Sequence, residues 1–147
     1  MADSRLQDVL FYSLESAIKA YRRFAQARLS AAGIDITIDQ WLVLNMIHES
    51  ADITLQQIGA AVFKDFASVT RIVQLLERKG LLRRTPHPSD GRWSQLALTS
   101  AGKSVISAVE PIAQANRRKA LDGIDARHQA QLRAVLKQIM ENCDARD

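Results

Sequence analysis

The centre of the chain reads, over residues 54–98, TLQQIGAAVFKDFASVTRIVQLLERKGLLRRTPHPSDGRWSQLAL. Thr54 and Gln57 form a capping-box pattern, in which a hydroxyl and an amide each satisfy an unpaired backbone amide at a helix start, so a short helix is predicted there. Asp65 is a second N-cap, and the longer helix that it begins is expected to end before Gly80, which supplies a left-handed stop. These residues therefore predict a short helix, a turn and a longer helix.

A β-hairpin is predicted immediately after the longer helix. Residues 81–85 are apolar and then basic, residues 86–91 (PHPSDG) are turn formers, and residues 93–98 (WSQLAL) are interpreted as a strand whose side chains point alternately in and out. A period of two is typical of a strand with one buried face. The pattern therefore indicates a small wing with a long polar tip, and Trp93 is expected to pack beneath it.

Long helices are predicted on both sides of this centre. Residues 5–32 contain no Gly or Pro and repeat apolar side chains at helical spacing until Gly33. Such a helix is about 40 Å long at about 1.5 Å per residue, more than a chain of this size covers alone. The apolar side chains of this helix, and those of a last helix over about 126–142, are therefore expected to pack against a second copy of the chain. Between them Thr99 caps a helix that Pro111 is expected to bend, or to deprive of one hydrogen bond.

This order of elements predicts the fold class: mainly α with a small β-hairpin wing, a winged helix-turn-helix with N- and C-terminal dimerisation helices. One domain is expected over residues 1–147, because a second core would be cramped in so short a chain. Within it, about 37–99 form the winged helix-turn-helix, where Thr37 starts a further capped helix, and about 5–32 and 100–147 form the dimerisation helices.

Positive charge is concentrated in the central segment. The chain has 20 Lys and Arg against 16 Asp and Glu, a net charge of +4. Residues 64–92 hold seven basic and three acidic residues, which is the whole of that excess. A polyanion such as nucleic acid would meet the field of the protein there, although a solvated basic surface would explain the same cluster.

The helix over residues 65–79 is expected to have two different faces. Val69, Ile72, Val73 and Leu76 share an apolar face at helical spacing and are expected to pack on the shorter helix. The opposite face carries small, hydroxyl, amide and guanidinium side chains, which can enter a major groove and bond to base edges or phosphates; an ordinary solvent-exposed face carries the same types. The residues predicted to contact DNA on this face are Ala67, Ser68, Thr70, Arg71, Gln74 and Arg78.

The hairpin tip supplies a second predicted contact. An arginine on a protruding loop can insert into the narrow, electronegative minor groove beside a major-groove helix. Asp90 and Arg92 are therefore predicted as a wing pair in which the carboxylate orients the guanidinium, with a role of Arg92 in solubility alone as the alternative. Lys64, Arg83 and Arg84 are predicted to contact phosphates.

Four short runs resemble, in order and spacing, the signature of the MarR (multiple antibiotic resistance regulator) family. They are SVTR at 68–71, LLERKGLLRR at 75–84, PSDGR at 88–92 and LTSAG at 98–102. The resemblance implies a bacterial transcription regulator, a homodimer with intertwined terminal helices that reads a pseudo-palindromic operator in double-stranded DNA. It also implies that Asp90 and Arg92 match the wing Asp-x-Arg pair of the family. Such regulators are usually repressors released by a small aromatic ligand or by cysteine oxidation.

Two departures from the family narrow the mode of regulation. The oxidation-sensing branch carries a reactive cysteine in the first helix, whereas the one cysteine here is Cys143, expected to be a small apolar filler in the dimer region. His48, His87 and His128 lack metal-ligand spacing, so no metal or cofactor is expected. A small-molecule effector, or none, remains, and no effector site is assigned.

Other classes of protein fit the sequence less well. The chain has no Gly-rich phosphate loop and no Gly-x-Ser-x-Gly turn, so an enzyme is not expected. It has no membrane-length apolar run, no leader pattern and no second cysteine for a disulfide, so a cytoplasmic location is expected. The alternative is a winged-helix module that binds protein rather than DNA, but such a module would expose apolar or acidic residues on the helix over 65–79.

Overall fold

Six α-helices and one β-hairpin make up the part of the chain that the computed structural model describes, which is residues 5–92 and 94–145 without the side chain of Gln7. The expected packing of Trp93 therefore lies outside the described residues. The architecture is the predicted one, mainly helical with a small wing. After a 3-10 turn at Leu6–Asp8 the elements are α1 Leu10–Ala31, α2 Ile38–Glu49, α3 Leu55–Val62, α4 Phe66–Arg78, β1 Leu82–Pro86, β2 Ser94–Leu98, α5 Ser100–Ala120 and α6 Ala126–Asp144.

Side-chain caps begin the central helices at the predicted residues. Thr37 Oγ1 accepts a hydrogen bond from the Gln40 backbone N–H, and Gln40 Oε1 accepts one from the Thr37 N–H, both at 3.1 Å. Thr54 and Gln57 form the same reciprocal pair, at 2.9 and 3.1 Å. Single caps start α4 and α5 as predicted, at Asp65 and Thr99.

The first helix begins later than the sequence pattern predicts. Leu6–Asp8 form a 3-10 turn, and Val9 has φ −80° and ψ 121°, an extended conformation that interrupts the helical ladder. α1 therefore starts at Leu10, and the expectation of a helix from Arg5 is wrong. No side-chain cap marks this start, so apolar spacing alone could not locate it.

One apolar core holds α4 against its neighbours. Val69, Val73 and Leu76 are fully buried, as predicted, where α4 packs on α2 and α3, whereas Ile72, expected on the same face, is only partly buried against this core. Burying a side chain of this kind contributes about 1.5–3 kcal/mol, so the core fixes the rotation of α4 about its axis. Their partners in the core include Val43, Leu44, Ile47, Ile58, Leu82, Leu96 and Leu98.

The wing is a two-stranded antiparallel sheet of β1 and β2. Leu82 pairs with Leu98 at its base, and both are buried together with Leu96. Gly102 in α5 lies directly against this base, because a Cβ there would stand 2.2 Å from the Leu81 carbonyl oxygen. Only a residue without a side chain permits this approach, which ties the hairpin to α5.

The terminal helices leave large apolar areas exposed. α5 continues through Pro111 as one helix, so the proline does not end it. α6 has no buried residue. None of the described helices is long and apolar enough to span a membrane. The exposed apolar side chains of α1 and α6 include Leu10, Phe11, Tyr12, Ile18, Leu132, Val135 and Met140.

Candidate DNA-binding site

Helix α4 presents a polar face outward. The Asp65 carboxylate fixes its start by accepting the Ser68 N–H at 2.7 Å, and this hydrogen bond lowers the pKa of Asp65. Because the core holds the opposite side, the predicted contact residues lie on the outer face of α4 or at its edges. Among them Ala67, Arg71, Gln74 and Arg78 are exposed, and Ser68 and Thr70 are half-buried.

Two hydrogen bonds within α4 already involve residues that are predicted to contact DNA. Thr70 Oγ1 donates to the Phe66 carbonyl oxygen at 2.9 Å. A hydroxyl has one proton, so Thr70 can only accept a further hydrogen bond while this one persists. Arg71 Nη2 donates to Ser68 Oγ at 3.4 Å, a long contact that constrains the guanidinium little.

The wing carries an arginine that is already oriented. Arg92 Nε lies 3.1 Å from Asp90 Oδ1 and Arg92 Nη2 lies 2.9 Å from Asp90 Oδ2, a two-bond pair, and the Arg92 backbone N–H donates to Oδ1 as well. The hydrogen bond to Asp90 raises the pKa of Arg92, whose side chain is 87% exposed. The ion pair expected from the sequence is present. Because exposed pairs add little stability, its main effect is to hold the guanidinium in one direction.

Polar contacts join the wing to the helix-turn-helix. Gln95 Nε2 in β2 donates to Asp52 Oδ1 at 3.0 Å, and His87 Nε2 lies 3.4 Å from the same oxygen. Arg84 Nε in β1 donates to Glu77 Oε1 of α4 at 2.9 Å. The position of the wing relative to α4 is therefore held by contacts from both strands.

The wing tip and the start of α4 border one groove. Its volume is about 730 Å³, and its lining includes Phe66 from α4, Arg84, Asp90 and Arg92 from the hairpin, and Asp52 from the loop before α3. The wing tip and the first residue of α4 therefore open onto a common concave surface, which the six predicted contact residues of α4 do not line.

Two of the three cations predicted to contact phosphates have carboxylate partners. Lys64 Nζ lies 3.1 Å from Asp39 Oδ2, and Arg22 of α1 binds the other oxygen of the same carboxylate. Burial raises the pKa of Asp39, but hydrogen bonds from Arg22 and Lys64 outweigh it, and the pKa lies below its usual value. Arg84 is paired as described above, whereas Arg83 is exposed. Phosphate contact by these cations stays a prediction.

Several residues that shape this site are not apparent from the sequence. Asp39, Asp52 and Glu77 hold basic or wing residues that are distant in the chain, and no local pattern marks such pairs. Phe66 is different, because its position follows from Asp65 as the N-cap. It is an apolar side chain that is 61% exposed at the first position of α4.

The described part of the chain contains no group of three or more His, Cys, Asp or Glu side chains that could hold a metal ion. Cys143 is exposed in the single chain. Its expected place in a dimer interface therefore stays a prediction.

Known proteins share this architecture. A family model described as MarR family matches residues 34–92. The HTH-type transcriptional repressor IacR of Pseudomonas putida is 23% identical over 140 residues, which cover 95% of this chain and 83% of that protein. A cysteine-to-serine mutant of Escherichia coli MarR complexed with operator DNA has a TM-score of 0.80 at 26% identity, over 88% of this chain and 92% of that one. Bordetella bronchiseptica BpsR, whose DNA binding is regulated by 6-hydroxynicotinic acid, has a TM-score of 0.81 at 19% identity, over 99% and 100%.

A capped helix pair followed directly by a two-stranded wing defines a winged helix-turn-helix protein. The family model matches α2 to the wing tip, and the relatives extend the likeness over the terminal helices. Over residues 34–92 the chain matches the MarR family of transcriptional regulators, as its sequence motifs indicate. These similarities are to transcriptional regulators rather than to enzymes.

Proposed function

We propose that the chain binds double-stranded DNA as a homodimer and represses transcription by occupying a pseudo-palindromic operator. Each protomer inserts α4 into a major groove, with the two helices about 34 Å apart, and each wing reaches into the adjacent minor groove. Phosphate contacts set the affinity, and contacts to base edges set the sequence preference. The phosphate contacts are assigned to Lys64, Arg83 and Arg84, and the base contacts to Ser68, Thr70, Arg71 and Gln74.

The Arg92–Asp90 pair is the observation that carries this role. An exposed ion pair contributes little to folding, so stability does not account for a guanidinium held by two bonds at a loop tip. The minor groove attracts arginine by its negative potential. Asp90 and Arg92 also border the same groove as Phe66, the first residue of α4, so one DNA surface can meet both elements.

Exposed apolar helices support the homodimer. α6 is 19 residues long and buries none of them, and Leu10, Phe11 and Ile18 of α1 are more than half exposed. Helices in proteins are stabilised mainly by packing of their apolar face, so a second copy that covers both exposed faces explains their apolar residues. A chain of 16.4 kDa should then sediment at about twice that mass. A monomer at micromolar concentration would contradict the dimer.

A small aromatic ligand is proposed to release the DNA, within the cytoplasm. Support comes from Trp41, whose buried indole N–H has no hydrogen-bond partner in the described part of the chain. Buried donors are normally paired, so a ligand with an acceptor group can satisfy this one. Aromatic acids and phenols should be titrated against the protein–operator complex, with Trp41→Phe as the control. Ligand-dependent release that the variant retains would exclude Trp41 from the site.

Selection of bound duplexes from a random library at near-physiological salt tests the DNA-binding role. The wild type is expected to enrich an inverted repeat with half-sites one helical turn apart, because a two-fold dimer reads two-fold DNA. The Arg71→Ala, Arg92→Ala double variant is expected to lose this enrichment and to stay folded, since both side chains are exposed. Only salt-sensitive background binding by the wild type would contradict the proposal and favour a protein-binding module.

A further inference from the structure

We infer that the phenyl ring of Phe66 contacts the C5-methyl group of a thymine in each half-site, which makes Phe66 a specificity-determining residue. This inference rests on the proposed function and deepens it. It adds an aromatic contact to a set of residues that are otherwise small, polar or charged.

The place of Phe66 on α4 is the first reason. It is the first residue of the helix, directly after the N-cap Asp65, three and seven positions before Val69 and Val73, so it lies at the N-terminal end of α4 beside the buried face. The N-terminal residues of a recognition helix are those that approach base edges in the major groove. The Thr70 hydroxyl bonds to the Phe66 carbonyl oxygen, so the first turn that carries the ring is held by α4 itself.

The exposure of the ring is the second reason. Phe66 is 61% exposed, whereas Val69 on the same helix is completely buried. An exposed ring forgoes most of the stabilisation that burial gives to a phenylalanine. Folding therefore does not account for an aromatic residue at this position.

The surroundings of the ring identify duplex DNA as its partner. Phe66 lines a groove whose charged residues include Arg84, Arg92, Asp90 and Asp52, and it lies within the segment 64–92, which as a whole holds the excess positive charge of the chain. Such a field attracts a polyanion rather than an apolar protein surface. Among the bases only thymine presents a methyl group in the major groove, and phenylalanine is one of the side chains that contact it.

Deoxyuridine substitution tests the contact, because it removes the methyl group of thymine and nothing else. In the operator selected by the wild type, each symmetric pair of thymines is replaced by deoxyuridine and the dissociation constant is measured. The wild type is expected to lose about fourfold in affinity per methyl, or about fifteenfold per pair, at one symmetric position. Phe66→Ala is expected to bind both forms of that operator equally.

Phe63→Ala is the matched control. Phe63 is 94% exposed in the turn between α3 and α4, so this variant also removes an exposed phenyl ring near the interface. It is expected to keep the discrimination between thymine and deoxyuridine. Phe66→Gln repeats the test with a side chain of similar length and good helix propensity, and circular dichroism verifies that each variant is folded.

The outcomes separate the contact from the proposed function. Discrimination that survives in Phe66→Ala and Phe66→Gln, or is lost equally in Phe63→Ala, overturns the Phe66 contact and leaves operator binding intact. A wild type with no methyl-sensitive position has the same consequence. A wild type that enriches no operator overturns the proposed function, and the Phe66 contact with it.

Discussion

Replacing Arg92 with alanine is expected to weaken operator binding strongly while the protein stays folded. The Arg92 side chain is 87% exposed and pairs with Asp90, so its loss should change the free energy of unfolding by less than about 1 kcal/mol. In the proposed complex each guanidinium forms charge-assisted hydrogen bonds worth about 1.5–3 kcal/mol. Two protomers then lose about 3 kcal/mol or more, which is about a hundredfold in affinity.

Fluorescence anisotropy of a labelled operator between about 50 and 200 mM salt measures both the affinity and its salt dependence. Arg92→Ala should lower the slope of log K against log salt by about one for each protomer, because a cation is lost from each half-site. Asp90→Ala is the informative companion. This variant keeps the Arg92 guanidinium but no longer orients it. The salt slope should therefore be unchanged, while the binding free energy weakens by about 0.5–1.5 kcal/mol for each protomer.

Unchanged affinity and slope in folded Arg92→Ala would refute the minor-groove role of the wing. If circular dichroism instead showed this variant unfolded, Arg92 would be a structural residue. Equal effects of Arg92→Ala and Asp90→Ala on the slope would show that the carboxylate does more than orient the guanidinium.

Four further results are expected. Gln74→Ala should cost about 1–3 kcal/mol at one base position and relax the preference there, in titrations across operator variants. Gly102→Ala should lower the free energy of unfolding in urea by about 1–3 kcal/mol, because its Cβ would stand 2.2 Å from the Leu81 carbonyl oxygen. Phe63→Asn should raise that free energy by about 1 kcal/mol, since Phe63 is exposed and holds φ 61°. Burial raises the pKa of Asp39, but its hydrogen bonds lower the pKa overall. The contribution of Asp39 to stability is therefore complete at neutral pH and is lost as pH falls from about 4 through the folded-state pKa. Asp39→Asn should reduce this loss of urea stability at acid pH.

Local patterns were sufficient to predict most of the fold. The caps at Thr37, Thr54 and Asp65 each involve residues three positions apart, so the sequence shows both partners. The rotation of α4 follows from the spacing of Val69 and Val73, which are both completely buried. The start of α1 was not predictable in this way, because residues 5–9 keep helical spacing but no cap marks the break.

The Asp90–Arg92 pair was predicted, but the other charge pairs of the site could not be, since folding brings their members together from different elements. Lys64 is a candidate phosphate contact by its charge alone, yet Asp39 in α2 holds it at 3.1 Å. Arg84 is likewise bonded to Glu77 across the boundary between β1 and α4. Both lysine and arginine must leave or share these carboxylates when they meet a phosphate, which lowers the net gain from each contact.

The same limit applies to Phe63. Its sequence neighbours do not show that the turn before α4 requires a left-handed residue, and glycine or asparagine would be the usual choice there. The left-handed backbone of Phe63 and the exposure of its ring follow from how α3 and α4 pack against each other, which no local pattern shows.

For the proposed dimer, folding and association become one reaction. α6 buries none of its residues within the single chain, so its helical form depends on the partner. Apparent stability then follows concentration, and each tenfold dilution lowers the free energy of unfolding of the dimer to separate chains by about 1.4 kcal/mol. The amount of regulator in a cell would therefore set the fraction of it that is folded as well as the fraction of operator that is occupied.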